Sequence, residues 1–258
     1  MMELLTDPHA WLSLFTLTVL EIVLGVDNII FISILAGKLP QEQQGKARTL
    51  GLALALITRI LLLSLIFVIT HLTQPLFTVG FLKEHLEDGT TRALQVTFKH
   101  IVLFAGGLFL IYKSVKEIHG SLEGEEHGKS NKVKPIFSAV IFQIVLMDII
   151  FSLDSVITAV GMVKHIEVMV AAVVIALAVM LFAAKSISDF VNGNPTIKML
   201  ALSFLLMVGL VLMGEGCGQH IEKGYIYTAM GFAFGVELLN MRARKKKGTK
   251  PVDLRSEY

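Results

Sequence analysis

Two short runs carry the residues that could do chemistry. They are Glu21-Ile-Val-Leu-Gly-Val-Asp27-Asn28 and Asp148-Ile-Ile-Phe-Ser-Leu-Asp154-Ser155. Each gives an acid, five mostly apolar residues, a second acid and then an oxygen-bearing polar residue. Both runs sit inside long apolar stretches. A carboxylate in hydrocarbon is costly without a partner, so four of them in two matching places point to a shared cation. Carboxylate, amide and hydroxyl oxygens are hard donors that suit Mg²⁺, Ca²⁺ or Mn²⁺. Neither run holds a histidine or cysteine, the ligands a Zn²⁺ site would favour, and the chain has one cysteine, Cys217. On a helix turning about 100° per residue, positions seven apart nearly eclipse. Glu21 therefore shares a face with Asn28, and Asp148 with Ser155, while Asp27 and Asp154 lie one step off. We take Glu21, Asp27, Asn28, Asp148, Asp154 and Ser155 as candidate metal ligands.

The competing reading is that these acids pair with buried bases, Arg59 and Lys113. Two bases cannot neutralise four acids, so this does not replace the cation reading. The two are compatible: the bases could hold the acids while no ion is bound. Arg59 lies in the middle of an apolar stretch and needs a partner there, for which a carboxylate of the first span is the best candidate. Lys113 can extend its amine to the membrane surface. Glu215 and Glu237 are further candidates for charge coupling or gating. The run of bases after Glu237 and Asn240 nearby offer that carboxylate a purely structural role. Gly25 either loosens the helix toward an ion or lets a neighbour pack closely; Ser152 occupies the matching place in the second run.

The elements that must position these residues are transmembrane. The 258-residue chain is 54% hydrophobic and only 17% charged, against about 25% charged in ordinary soluble proteins. Seven apolar segments are expected to span as helices, near 11–36, 49–71, 99–115, 136–161, 166–185, 199–214 and 225–241. The first ten residues contain Glu3 and Asp7 but no Lys or Arg, which argues for a retained first span over a cleaved signal. With the N-terminus outside, 17 Lys and Arg fall inside and five outside, leaving Arg59 within a span. That asymmetry predicts a cytoplasmic C-terminus. The basic run Arg242–Lys247 then reads as an anchor on the anionic inner leaflet, not a nucleic-acid patch.

A Gly-, Ser- and charge-rich linker, 117–135, divides the chain. The expected organisation is a first three-helix repeat at 1–116, the cytoplasmic linker, a second three-helix repeat at 136–224, and a seventh helix with a basic tail at 225–258. Odd-numbered halves lie in opposite orientations, the inverted-repeat plan of many secondary transporters, whose substrates bind near the midplane. Gly107-Leu-Phe-Leu-Ile-Tyr-Lys113 in span 3 also echoes Gly209-Leu-Val-Leu-Met-Gly-Glu215 in span 6.

With Leu24-Gly-Val-Asp-Asn28 followed by Phe31, Asp148-Ile-Ile-Phe-Ser-Leu-Asp-Ser-Val156, Tyr112-Lys113 and Val236-Glu-Leu-Leu-Asn240, the chain resembles the TerC family of bacterial integral membrane proteins. That family is similar in architecture to the LysE-type exporters. The resemblance implies a cation exporter of the inner membrane, with manganese the leading substrate, and implies that the paired acidic runs form the metal site. Gly25 departs from the pattern, since the family often has serine there. The expectation is thus an all-α membrane protein that exports Mn²⁺ by alternating access, driven by proton exchange. It needs no resident cofactor, has the divalent ion and the lipid bilayer as its partners, and is compatible with a homo-oligomer. The alternative is a membrane scaffold or insertion partner in metal or tellurite stress. No nucleophile–base pair or metalloprotease helix appears, so an enzyme is not expected.

Overall fold

A computed structural model describes residues 8–64, 74–85, 91–123, 136–162, 166–219 and 221–247. The elements run α1 (Pro8–Gly37), α2 (Gln41–Ser64), β1 (Pro75–His85), β2 (Thr91–Thr97), α3 (Phe98–Glu123), α4 (Phe137–Met162), α5 (Ile166–Gly193), α6 (Pro195–Gly216) and α7 (Lys223–Lys247). Each expected span coincides with a helix; the end of the second, 65–71, lies outside the described residues. Among the described residues, four helices are long and apolar enough to cross a bilayer: α1, α2, α5 and α6. In α4, Phe137–Leu153 is a further apolar stretch among the described residues. The chain forms two compact units, each drawing on both halves of the sequence.

The first unit contains α1, α2, α4 and α5 as far as Phe190. A tight turn joins α1 to α2. Its backbone amides Lys38 and Leu39 donate to the Leu35 and Ala36 carbonyls. The Gln44 side-chain amide donates back to the Leu39 carbonyl at 2.9 Å. Leu17, Leu63, Met169, Ala172 and Val173 are among the buried residues that form a core between α1, α2 and α5. Gly51 lets α2 approach α4 closely; a Cβ there would stand 2.9 Å from Ile144 Cγ2. Near the far end of α5, Ser188 is buried and accepts a 2.7 Å hydrogen bond from Arg48 Nη1.

Polarity in this unit is inverted relative to a water-soluble bundle. Leu12, Phe15, Val19, Val23 and Val26 form an exposed stripe along α1, while Glu21, Asn28 and Ser33 are buried on the same helix. The exposed residues recur at helical spacing, so they make one continuous apolar face. Contiguous exposed apolar surface of this kind is what a helix presents to lipid.

The second unit contains the β-hairpin, α3, α6 and α7. The hairpin is antiparallel, with Phe77 opposite Val96, Val79 opposite Leu94, and an irregularity between Val79 and Lys83. No strand is expected here from the sequence, in which the region only links the second and third apolar segments. Thr97 ends β2 and caps α3: its Oγ1 accepts from the His100 backbone N–H, and its own N–H donates to His100 Nδ1 at 3.1 Å. That reciprocal cap satisfies two amides that a bare helix start would leave open. Helix α3 continues through Glu123. Residues 117–123, whose composition suggested linker, are therefore helical. Glu117 and Ser121 are buried there, and Lys198 Nζ lies 3.8 Å from Glu117 Oε1.

Helix α6 starts with Pro195 after the N-cap Asn194. It ends in a Schellman turn, in which Gly218 adopts φ 79° and the amides of Gly218 and Gln219 donate to the Glu215 and Gly214 carbonyls. Gly107 and Gly209, the two glycines aligned in the sequence comparison, are the contact point of α3 and α6. A Cβ on Gly107 would lie 2.5 Å from the Gly209 carbonyl oxygen and 2.7 Å from the Met213 nitrogen. Both obstacles are backbone and cannot rotate away. Gly107→Ala should therefore lower thermal stability in detergent by about 1–3 kcal/mol. Gly45→Ala, where a Cβ meets nothing within 4 Å, should be neutral or gain up to about 1 kcal/mol. Equal melting shifts for the two variants would remove the close-packing explanation.

Candidate metal centre

The site lies within the first unit, where three helices each supply one buried charge. Glu21 comes from α1, Arg59 from α2 and Asp148 from α4, and each is 4% exposed. Arg59 joins them. Its Nη1 donates to Glu21 Oε2, its Nη2 lies 3.6 Å from Asp148 Oδ1, and its Nε donates to Ser152 Oγ at 2.9 Å. Ser152 Oγ in turn lies 3.3 Å from Asp148 Oδ2, as donor. Thr58 Oγ1 stands 2.9 Å from both Asp148 Oδ2 and the Ala55 carbonyl oxygen, so its single proton serves one of them at a time.

Local helix geometry explains the assembly. Ser152 is four residues beyond Asp148 and so lies above it on the same face. Thr58 and Arg59 are adjacent and approach Asp148 from two sides. All three carrier helices are regular through the site. Helix α1 does not unwind at Gly25; instead the missing Cβ makes room for the Met180 Sδ of α5, which would clash with it. Close packing, not local unwinding, is thus the role of Gly25.

A small cavity of about 10 Å³ adjoins the charges, bounded by Asn28, Arg59, Asp148 and Met180 and walled by apolar residues that include Leu52 and Val173. That is room for about one water-sized body. Asn28, 7% exposed, shares the Glu21 face of α1 as the seven-residue spacing requires. Asp27 is half-buried. Asp154 and Ser155 lie on helical backbone, but their side chains are outside the described residues.

The structure therefore brings together Glu21, Arg59 and Asp148, with Asn28 lining the adjoining cavity. The guanidinium stands between the two acids, and among the described residues no three acidic, histidine or cysteine side chains converge as a ready ligand cluster. Sequence reasoning missed three members. They are Ser152, Thr58 and Met180. The i, i+4 spacing of Asp148 and Ser152 could have found the first. Nothing local to Met180 marks it.

Lys113, Glu215 and Glu237 belong to the second unit. Lys113 Nζ lies 5.6 Å from the Phe109 ring centroid, within cation–π range. Glu215 buries Oε2 without a hydrogen-bond partner among the described residues. Glu237 accepts from Arg244 Nη2 at 3.0 Å and from Asn240 Nδ2 at 3.4 Å, both on its own helix. Such a partly exposed pair contributes little, so Arg244→Ala should cost no more than about 1 kcal/mol in thermal unfolding. A larger loss would mean that Glu237 depends on this partner for more than solvation.

A family model described as "Integral membrane protein TerC family" matches residues 6–250. Among similar proteins, "UPF0053 inner membrane protein YgdQ" of Escherichia coli (strain K12) is 53% identical over 242 residues, 94% of this chain and 97% of that one. A "UPF0053 protein" of Haemophilus influenzae is 52% identical over 246 residues, covering 95% and 99%. "UPF0053 inner membrane protein YoaE" of E. coli K12 is 51% identical over 245 residues, which make up 45% of its length. No solved structure matches the chain.

Proposed function

The chain belongs to the TerC family of integral membrane proteins, and on that footing we propose that it exports a divalent cation, Mn²⁺ foremost, across the bacterial inner membrane. The observation that carries this reading is the buried charge imbalance. Two carboxylates from α1 and α4 share one guanidinium beside a cavity of single-ion size. Helix assembly alone does not call for such an arrangement, because well-packed apolar residues of similar volume hold helices as well as a buried ion triad does, or better. The full ligand set is Glu21, Asp27, Asn28, Asp148, Asp154 and Ser155. The ion is cargo, and the protein needs no resident cofactor.

The proposed plan is seven transmembrane helices, N-terminus outside and C-terminus cytoplasmic, with two inverted three-helix repeats alternating access around the site. Export of a dication works against a membrane potential that is negative inside, at about 2.3 kcal/mol per charge per 100 mV. Exchange for two or more incoming protons supplies the drive. Proteoliposome flux that ignores an imposed pH gradient would remove proton coupling from the account.

One observation favours a scaffold instead: Arg59 already partners both acids, as a helix-locking contact would. Whole-cell metal content, measured element by element with and without the protein, separates the readings. The exporter reading expects lower manganese in cells that make it when manganese is supplied in excess. A scaffold leaves every element unchanged.

A further inference from the structure

We infer that Arg59 is a tethered stand-in for the transported ion: its guanidinium occupies the acidic site between transport events and must leave before a metal ion can be held there. The inference rests on the transporter reading above and concerns the regulation of the same site.

The geometry is that of a competitor. Arg59 turns all three guanidinium nitrogens onto the oxygen set, toward Glu21, Asp148 and Ser152. A divalent ion bridging Glu21 and Asp148 would need the same lone pairs. The cavity beside the guanidinium holds about one water-sized body. An ion seated there would have to draw on the Glu21 and Asp148 oxygens that Arg59 already engages. A cation and a guanidinium this close would also repel strongly at so buried a place.

Charge arithmetic favours exchange over addition. For Glu21 and Asp148 alone, the two carboxylates sum to one negative charge with the guanidinium, to zero with a dication in its place, and to one positive charge with both. The site is thus held short of neutrality by Arg59, yet never left with two bare carboxylates. This gives the empty carrier a way to reorient with its acids partnered. It also means that affinity for metal is set below what the acids alone would provide, which favours release on the far side.

The test uses full-length protein purified in detergent and titrated with Mn²⁺ alone, free ion being read from its aqueous electron paramagnetic resonance signal. Arg59→Gln should bind Mn²⁺ at least tenfold more tightly than the wild type, and Arg59→Lys, which keeps the charge, should stay within threefold of it. Binding by Arg59→Gln that is equal to or weaker than wild type overturns the inference. If the wild type moves Mn²⁺ in proteoliposomes while Arg59→Gln gains nothing, the inference alone fails. If the wild type neither binds nor moves Mn²⁺, the transporter reading falls and the inference with it. A second arm needs no variant. Phenylglyoxal labelling of Arg59 in the wild type, read by peptide mass spectrometry, should rise several-fold when Mn²⁺ is added. Unchanged or reduced labelling contradicts displacement, and this arm decides the matter if Arg59→Gln does not purify folded.

Discussion

Replacing Arg59 with leucine should lower the unfolding free energy by about 3–5 kcal/mol, the usual consequence of deleting one member of a buried ion pair. The magnitude follows from what is left behind. Glu21 loses its charged partner, and Asp148 keeps only Thr58 and Ser152. Combining Arg59→Leu with Glu21→Gln should recover a substantial part of the loss, because one of the two stranded charges is gone. The double-mutant cycle then gives a coupling energy of about 1–3 kcal/mol, as expected for residues in direct contact. Thermal unfolding in detergent measures all four corners. A single Arg59→Leu variant as stable as wild type would mean that the three charges do not meet in the membrane-embedded protein.

The second large effect concerns activity and leaves the fold alone. Asp27→Asn combined with Asp154→Asn should reach the membrane in normal amounts yet lose protection against manganese overload. Asp27 is half-buried on α1, so an isosteric amide should be tolerated there. Each charged ligand lost removes roughly 1.5–3 kcal/mol from ion binding, and two together should lower flux by at least about a hundredfold. Growth in graded MnCl₂, with membrane abundance measured alongside, reads both. Full protection by the double variant would fit a scaffold.

Much of this architecture was legible in the chain because bilayers impose simple rules. Among the described residues each of the seven apolar stretches falls on a helix, the form a backbone takes where an integral membrane protein crosses lipid. Glu21 and Asp148 stood out because a charge inside an apolar run demands explanation. The same logic assigned Arg59 a carboxylate from the first helix, and Glu21 is that carboxylate. That one guanidinium of α2 stands between those two acids was not legible, because it depends on how α2 packs against both other helices.

Misses followed from weaker signals. The hairpin at 75–97 carries modest alternation, with Leu94 and Val96 buried and Ala93 and Gln95 less so. A reading tuned to long apolar spans passes over strands that short. The end of α3 was masked by composition: Gly120 and Ser121 read as linker, yet tertiary burial of Glu117 and Ser121 outweighs their poor helix propensity. Met180 touches the site only through a gap that Gly25 leaves open on another helix, a contact no single stretch of sequence encodes.

The most direct test of the central claim is Mn²⁺ flux in proteoliposomes holding the purified chain, compared with Asp148→Asn and with protein-free vesicles. The account predicts saturable Mn²⁺ movement for the wild type and background movement for Asp148→Asn, with both proteins incorporated equally. Wild-type flux no greater than that of empty vesicles, or undiminished flux through Asp148→Asn, would contradict it.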